Sequence, residues 1–241
     1  MIDGSISDEL WTLNLQSMQW TNHGAQRHHN VQPLAYTANT VIMDDMKLAI
    51  FGGLTQTPEN RFAVTKEMVF LNLHDLSWQK PNKVFADSDD DVPAARMGAQ
   101  MVYNDNKLYV YGGAKPKLDQ QDTDEVTFSD FFTFELNNKN LWAKETRFNA
   151  MNDEQGEILG KGIRLYNTDK AVFMGGCDAN TQQCYFDKGR QIQFSQPEAN
   201  FPKESVAFEG REGHSLIQLG DSIISFGGCQ FGKKCFNQLL I

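Results

Sequence analysis

Several things are scarce or missing in this 241-residue chain, and each absence excludes a class of protein. No apolar run approaches the roughly 18–20 residues a membrane-spanning helix needs, and the first twenty residues are acidic and polar rather than signal-like. A segment that does not insert into a membrane is expected. Basic residues are in deficit, with 22 Lys and Arg against 31 Asp and Glu, so the net charge of -9 repels a phosphate backbone and nucleic acid is not an expected partner. Only 7 residues are proline and 22% are charged, while 40% are hydrophobic and 17 are phenylalanine. That balance suits a chain with a buried core rather than a disordered one. None of the 18 asparagines lies in an Asn-X-Ser/Thr context, which mildly disfavours a glycosylated secretory domain. Walker-type glycine loops, His-Glu-x-x-His, a Gly-x-Ser-x-Gly nucleophile turn and a Ser-His-Asp set are all missing, so no catalytic residue is expected.

What is present is repetition. Four apolar runs end in paired glycines: Leu48–Phe51 before Gly52-Gly53, Leu108–Tyr111 before Gly112-Gly113, Ala171–Met174 before Gly175-Gly176, and Ile223–Phe226 before Gly227-Gly228. The pairs stand 60, 63 and 52 residues apart, a period that marks a repeat protein and favours one continuous array over separate domains. Each run is preceded by a polar turn, such as Asn104-Asp105-Asn106-Lys107 or Leu219-Gly220-Asp221-Ser222, and each turn by another apolar segment. Asn, Asp and Gly tolerate positive φ, so strand, turn, strand reads as a β-hairpin in every unit.

After the glycines comes a variable loop, then a third strand, a short turn and usually a tryptophan. Met68–Leu73 leads to Trp78, Phe131–Leu136 to Trp142, and Leu10–Leu15 to Trp20. Trp78 and Trp142 are expected to pack between neighbouring sheets. Ile192-Gln193-Phe194 begins a third strand with no tryptophan after it.

Double glycine, strand and tryptophan together resemble the kelch repeat over essentially the whole chain. Arg211-Glu212-Gly213-His214 is similar to the Arg-x-Gly-His segment that opens kelch units; Arg96-Met97-Gly98 keeps part of it and Lys161-Gly162 less. The resemblance implies an all-β fold, a kelch-type β-propeller of four-stranded antiparallel blades. The reading is one propeller segment, 1–241, with approximate units 1–30 (partial), 31–95, 96–160, 161–210 and 211–241 (partial). Strand counting puts third and fourth strands at residues 8 to 21 and the start of another third strand at Phe236 to Ile241, so both ends offer a third strand and the ring is expected to be incomplete in this chain. The segment should then be part of a larger chain or assembly, with its terminal sheet faces uncovered.

By the same resemblance the protein is expected to be a non-catalytic interaction scaffold with protein partners and no cofactor, binding through the loops between second and third strands and between blades. Relatives include substrate receptors of ubiquitin ligases, cytoskeletal scaffolds and extracellular adhesion modules. The alternative is a metal-dependent kelch-like enzyme of the copper oxidase or iron-dependent type. No matching ligand cluster is visible in the sequence.

The cysteines recur with the repeat. Cys177 and Cys229 each follow a double glycine, and each has a companion before an aromatic residue, Cys184-Tyr185 and Cys235-Phe236, whereas the first two units carry Leu54 and Ala114 and no cysteine. Disulfides across the mouths of the two loops, reduced thiols, and zinc shared by four sulfurs all remain open. A cytoplasmic or cytoskeletal setting suits the missing sequons; an extracellular or lumenal one suits bridged pairs.

The remaining polar clusters read as solvated loops or structural groups rather than metal sites. They are His23, His28 and His29; His214; Asp87 with Asp89, Asp90 and Asp91; and Asp119, Asp122, Asp124 and Glu125. None shows the ligand order of a known clip.

Overall fold

The computed structural model describes residues 9–24, 40–56, 61–118, 125–137, 140–146, 159–178, 181–186, 190–195, 199–200, 209–230 and 233–241. Positive φ falls where the tight turns demand it, at Met46, Asp105, Asn106, Asn167 and Gly220, and each turn joins two strands in antiparallel register.

Four sheets follow, called here blades 1 to 4. Blade 1 holds Thr40–Ile42, Lys47–Phe51, Met68–Asn72 and Trp78–Gln79. Blade 2 holds Gln100–Asn104, Lys107–Tyr111, Phe131–Glu135 and Leu141–Lys144; blade 3 holds Lys161–Leu165, Lys170–Met174, Arg190–Gln193 and Ala199–Asn200. Blade 4 holds Ser215–Leu219, Ser222–Phe226 and Leu239–Leu240. Strands neighbour in sequence order within each blade, and the first strands of blades 1 to 4 pack one beside the next. Each sheet therefore runs outward from a shared centre, which is the plan of a β-propeller.

Stacking explains the apolar alternation. Side chains alternate faces along a strand, so blade 2 serves two neighbours at once. Met101, Tyr103, Leu108, Val110, Phe132 and Phe134 face blade 1, where they meet Ala49, Phe51, Met68 and Phe70. Val102, Tyr109, Tyr111 and Phe131 face blade 3, where they meet Ala171, Phe173 and Ile192. Both faces of this blade are buried, and each large side chain removed from water there contributes about 1.5–3 kcal/mol. On blade 4 the pattern is interrupted: Ile217, Leu219, Phe226 and Leu239 stay more than half exposed.

The structure differs from the sequence reading at four places. The loop after each double glycine is itself a short antiparallel ladder: Leu54–Gln56 with Phe62–Val64, Ala114–Lys115 with Val126–Thr127, Gly176–Cys177 with Cys184–Tyr185, and Cys229–Gln230 with Lys234–Cys235. Blade 2 carries an extra edge strand, Phe85–Ala86, running parallel to Leu141–Trp142. In blade 4 the third strand begins at Leu239, because Gly227 N–H and the Phe226 pairing reach Gln238 and Leu239 rather than Phe236. The N-terminal hairpin, Trp11–Asn14 with Gln19–Asn22, forms as expected, but Trp20 on it is 63% exposed and packs between no blades among the described residues.

Candidate recognition face

First strands begin, and second strands end, at the same edge of each blade: Gln100 lies opposite Tyr111, Lys161 opposite Met174 and Ser215 opposite Phe226. The short ladders and the segments linking one blade to the next therefore share one face, marked by the double glycines. The turns of two or four residues between first and second strands lie on the other.

Two buried arginines hold that face together. Arg96 and Arg211 are almost wholly buried, and each donates from Nη1 to the first glycine carbonyl of its own blade sixteen residues on, Gly112 at 2.9 Å and Gly227 at 3.1 Å. Each guanidinium lies 4.0 Å over a ring that follows the short ladder, Phe128 for Arg96 and Phe236 for Arg211. Each arginine's own carbonyl accepts from the second glycine of the preceding blade, Gly53 and Gly176, both at 2.8 Å. One residue thus closes its own blade with its side chain and ties on the previous blade with its main chain. The two clasps differ in charge. Arg96 also forms a two-pronged pair with Asp130, whereas Gln238 stands at that position in blade 4, and burial lowers the pKa of Arg211.

A second main-chain link runs through equivalent residues of three blades. Leu159 N–H donates to the Gly98 carbonyl at 2.9 Å, and Gly213 N–H donates to the Leu159 carbonyl at 2.7 Å. All three have positive φ: 70° at Gly98, 58° at Leu159 and 65° at Gly213. Leu159 occupies the glycine position of the opening motif in blade 3, so the motif falls two residues before Lys161-Gly162, where the sequence reading put it.

His214 closes the seam between blades 3 and 4. It is 1% exposed, with its ring 5.2 Å from that of Phe186, and neither ring nitrogen has a hydrogen-bond partner among the described residues. Burial, then the nearby charges of Arg211 and Lys161, lower its pKa to about 4, so the ring is neutral at pH 7. Gly175 makes room for it: a Cβ there would lie 2.3 Å from His214 Cε1 and 2.9 Å from the Arg211 carbonyl. Sequence reasoning missed Arg190, which is 1% exposed, lies 4.6 Å over the Tyr111 ring of blade 2 and is lowered to about 10 by burial.

The cysteine pairs are disulfides, Cys177–Cys184 and Cys229–Cys235, each between directly opposed ladder residues. Asp178 shapes the first of these hairpins by accepting from Thr181 N–H on its side chain and Gln182 N–H on its carbonyl. Between the two stapled hairpins lies a polar cleft of about 330 Å³, lined by Thr181, Gln182, Gln183, Cys184, Gln230 and Lys233.

Other expected residues are not assembled into a site. Trp142 is buried at 3%, with ring centroids 5.1 Å from Phe51 of blade 1 and 4.8 Å from Phe134 of its own blade; Trp78 is half-buried. His23 shares a 2.8 Å hydrogen bond with Thr12 Oγ1, and His28 and His29 lie outside the described residues. Asp89–Asp91 form a single 3₁₀ turn in which Asp91 accepts from Ser88 Oγ and Lys144 N–H, while Asp87 and Glu125 are exposed; Asp119, Asp122 and Asp124 lie outside the described residues. Among the described residues no group of three or more His, Cys, Asp or Glu side chains converges as a metal site would.

Radial antiparallel meanders, tied at two junctions by a double-glycine N–H that donates to the carbonyl of the next blade's opening arginine, define a repeat β-propeller. The chain belongs to the kelch-repeat family: the family model described as the KLHDC2/KLHL20/DRC7 Kelch-repeats domain matches residues 2–228. It is 30% identical over 125 residues to Kelch repeat-containing protein 2 of Saccharomyces cerevisiae, covering 50% of this chain and 13% of that one. To Tip elongation aberrant protein 1 of Schizosaccharomyces pombe it is 26% identical over 193 residues, 77% of this chain and 15% of that one. To human Host cell factor 1 it is 25% identical over 122 residues, 46% of this chain and 6% of that one. The chain thus spans a small part of the length of these relatives. The solved structure of YjhT shares the fold, with a TM-score of 0.65 and 16% identity over 92% of this chain and 66% of that one.

Proposed function

We propose that this chain is a non-catalytic platform that binds a protein partner through its double-glycine face. The observation carrying this reading is the pairing of two neighbouring hairpins, each stapled by a disulfide, around one polar cleft on that face. Blades 1 and 2 form the equivalent ladders without cysteine, so a ladder at this position does not require the bridge. Closing loops this short contributes modestly to global stability, about 2 kcal/mol each and below the value for longer loops. The bridges also fix the ladder residues beside the cleft, Cys184 and Gln230 among them, and a surface ordered in advance loses less entropy on binding. Kelch-family membership supports the same reading.

The test is site-specific photocrosslinking in the native source. A crosslinker at Gln183 or Lys233 is expected to capture one defined partner, and a crosslinker at Asp105 on the opposite face to leave it uncaptured. Capture from Asp105 alone would overturn the assignment of the face.

A further inference from the structure

Blade 2 shows how the hairpin of blade 4 stands without its bridge. Phe128 N–H donates to the Gly113 carbonyl and Phe236 N–H to the Gly228 carbonyl, both at 2.8 Å, and Met97 pairs with Ala114 as Glu212 pairs with Cys229. The guanidinium of Arg96 lies over Phe128 as that of Arg211 lies over Phe236, each at 4.0 Å. The base of the hairpin is thus built alike in both blades, and blade 2 holds it with no cysteine. Opening Cys229–Cys235 therefore leaves the base standing. What it loosens lies beyond the base, where Gln230 opposite Lys234 is the one other pair of the ladder and Lys233 N–H donates to the Gln230 carbonyl at 2.6 Å. Gln230 and Lys233 both line the polar cleft.

The two bridges are not equally open to attack. Cys177 is wholly buried, and the segment entering blade 4 closes over its hairpin. Arg211 N–H donates to the Tyr185 carbonyl at 3.3 Å, Gly176 N–H donates to the Arg211 carbonyl at 2.8 Å, and a Cβ on Gly210 would collide with the Cys184 carbonyl. Tyr185 and Phe186, which follow Cys184, are buried as well. Cys235 is exposed and Cys229 half-buried, so a thiolate can reach the second bridge. Disulfides exchange by such an attack, and accessible ones are the labile ones.

We propose that Cys229–Cys235 is a redox latch on the polar cleft, opened by a dithiol carrier and closed again by the carrier's disulfide form, while Cys177–Cys184 stays closed. The carrier thiolate attacks Cys235 Sγ, forms a mixed disulfide there and expels the Cys229 thiolate. The carrier's second thiolate then attacks its own sulfur in that mixed disulfide and expels the Cys235 thiolate. The carrier leaves as a disulfide, and its two electrons and two protons end on the Cys229 and Cys235 thiols. The effect on binding rests on the role proposed above for the double-glycine face. With Gln230 and Lys233 no longer fixed, a partner must order them itself and binds more weakly.

The probe is dithiothreitol, a dithiol, graded on the folded chain and followed by alkylation and peptide mass spectrometry. Cys229 and Cys235 should be modified at concentrations about tenfold or more below those that expose Cys177 and Cys184. Amide exchange should quicken at 233–235, while 181–184 and Phe236 keep their protection. Cys229→Ser combined with Cys235→Ser should reproduce the faster exchange without reductant and cut capture from a crosslinker at Gln183 by about half or more. Both bridges opening together, Cys177–Cys184 opening first, or unchanged exchange at 233–235 overturns the latch. Capture that ignores the double substitution overturns it too. A bridged chain that captures nothing from Gln183 counts against the binding face instead, and the order of reduction and the exchange rates still decide the latch.

Discussion

Protonation of His214 should set the acid stability of the seam between blades 3 and 4. The ring has a pKa of about 4 in the folded chain, depressed by burial and by Arg211 and Lys161, against about 6.5 when unfolded. The unfolded chain therefore takes up the proton first, and the stabilisation present above pH 6.5 is lost as pH falls towards 4. A depression of this size corresponds to about 3 kcal/mol in full, of which about 2 kcal/mol disappears between pH 7 and pH 5. Glu212 beside it moves the other way, its pKa raised by burial, so the carboxylate recovers part of the loss on protonation. Urea unfolding of the chain and of His214→Gln across pH 7.5 to 4.5 isolates the histidine, because every other group is common to both. The stability difference between them should shift by about 2 kcal/mol in favour of the glutamine variant over the pH 7 to 5 interval. Any pH-independent cost of the glutamine cancels from that shift. Parallel pH profiles would refute the reasoning, since they would mean that the buried ring accepts a proton at no cost.

Two glycine substitutions should separate backbone strain from crowding. Gly213→Ala meets open space and should cost about 1–2 kcal/mol, for positive φ alone, whereas Gly175→Ala drives a Cβ into His214 and the Arg211 carbonyl and should cost clearly more; equal losses in calorimetry would contradict this. Arg96→Met strands Asp130 and should destabilise by about 3 kcal/mol, while Arg211→Met, with Gln238 at the matching position, should cost less, as read from urea midpoints. Trp142 should be the tryptophan most resistant to acrylamide quenching, with Trp11 and Trp20 quenched readily; Trp142→Phe should remove the protected emission. Titration of the denatured, unreduced chain should find no free thiol, and four reactive thiols would contradict both bridges.

The glycine hairpins were legible in the sequence because their cause is local: a turn needs Asn, Asp or Gly, and a blade needs alternating apolar residues on both sides of it. Other features depend on distance along the chain. The clasp of Arg96 requires a carbonyl sixteen residues away and a ring at Phe128, neither of which a three-residue motif announces. The opening motif of blade 3 was misplaced for a geometrical reason. Its first hairpin turns through the four residues between Leu165 and Lys170, where blade 2 uses the two between Asn104 and Lys107, so Leu159 sits at the glycine position and Lys161-Gly162 only imitates the motif. Phe85–Ala86, two residues long, carries no periodicity to detect. Trp20 shares its spacing with Trp78 and Trp142 but not their burial, because the N-terminal hairpin presents no neighbouring sheet to cover it among the described residues.

The central claim, that a partner is held on the double-glycine face, is tested most directly by amide hydrogen exchange of the chain with and without the protein that co-purifies with it. Added protection is predicted in the stapled hairpins, at Cys177–Asp178, 181–184 and 233–235. Protection confined to the turns at 43–47, 104–107 and 166–169 would contradict it.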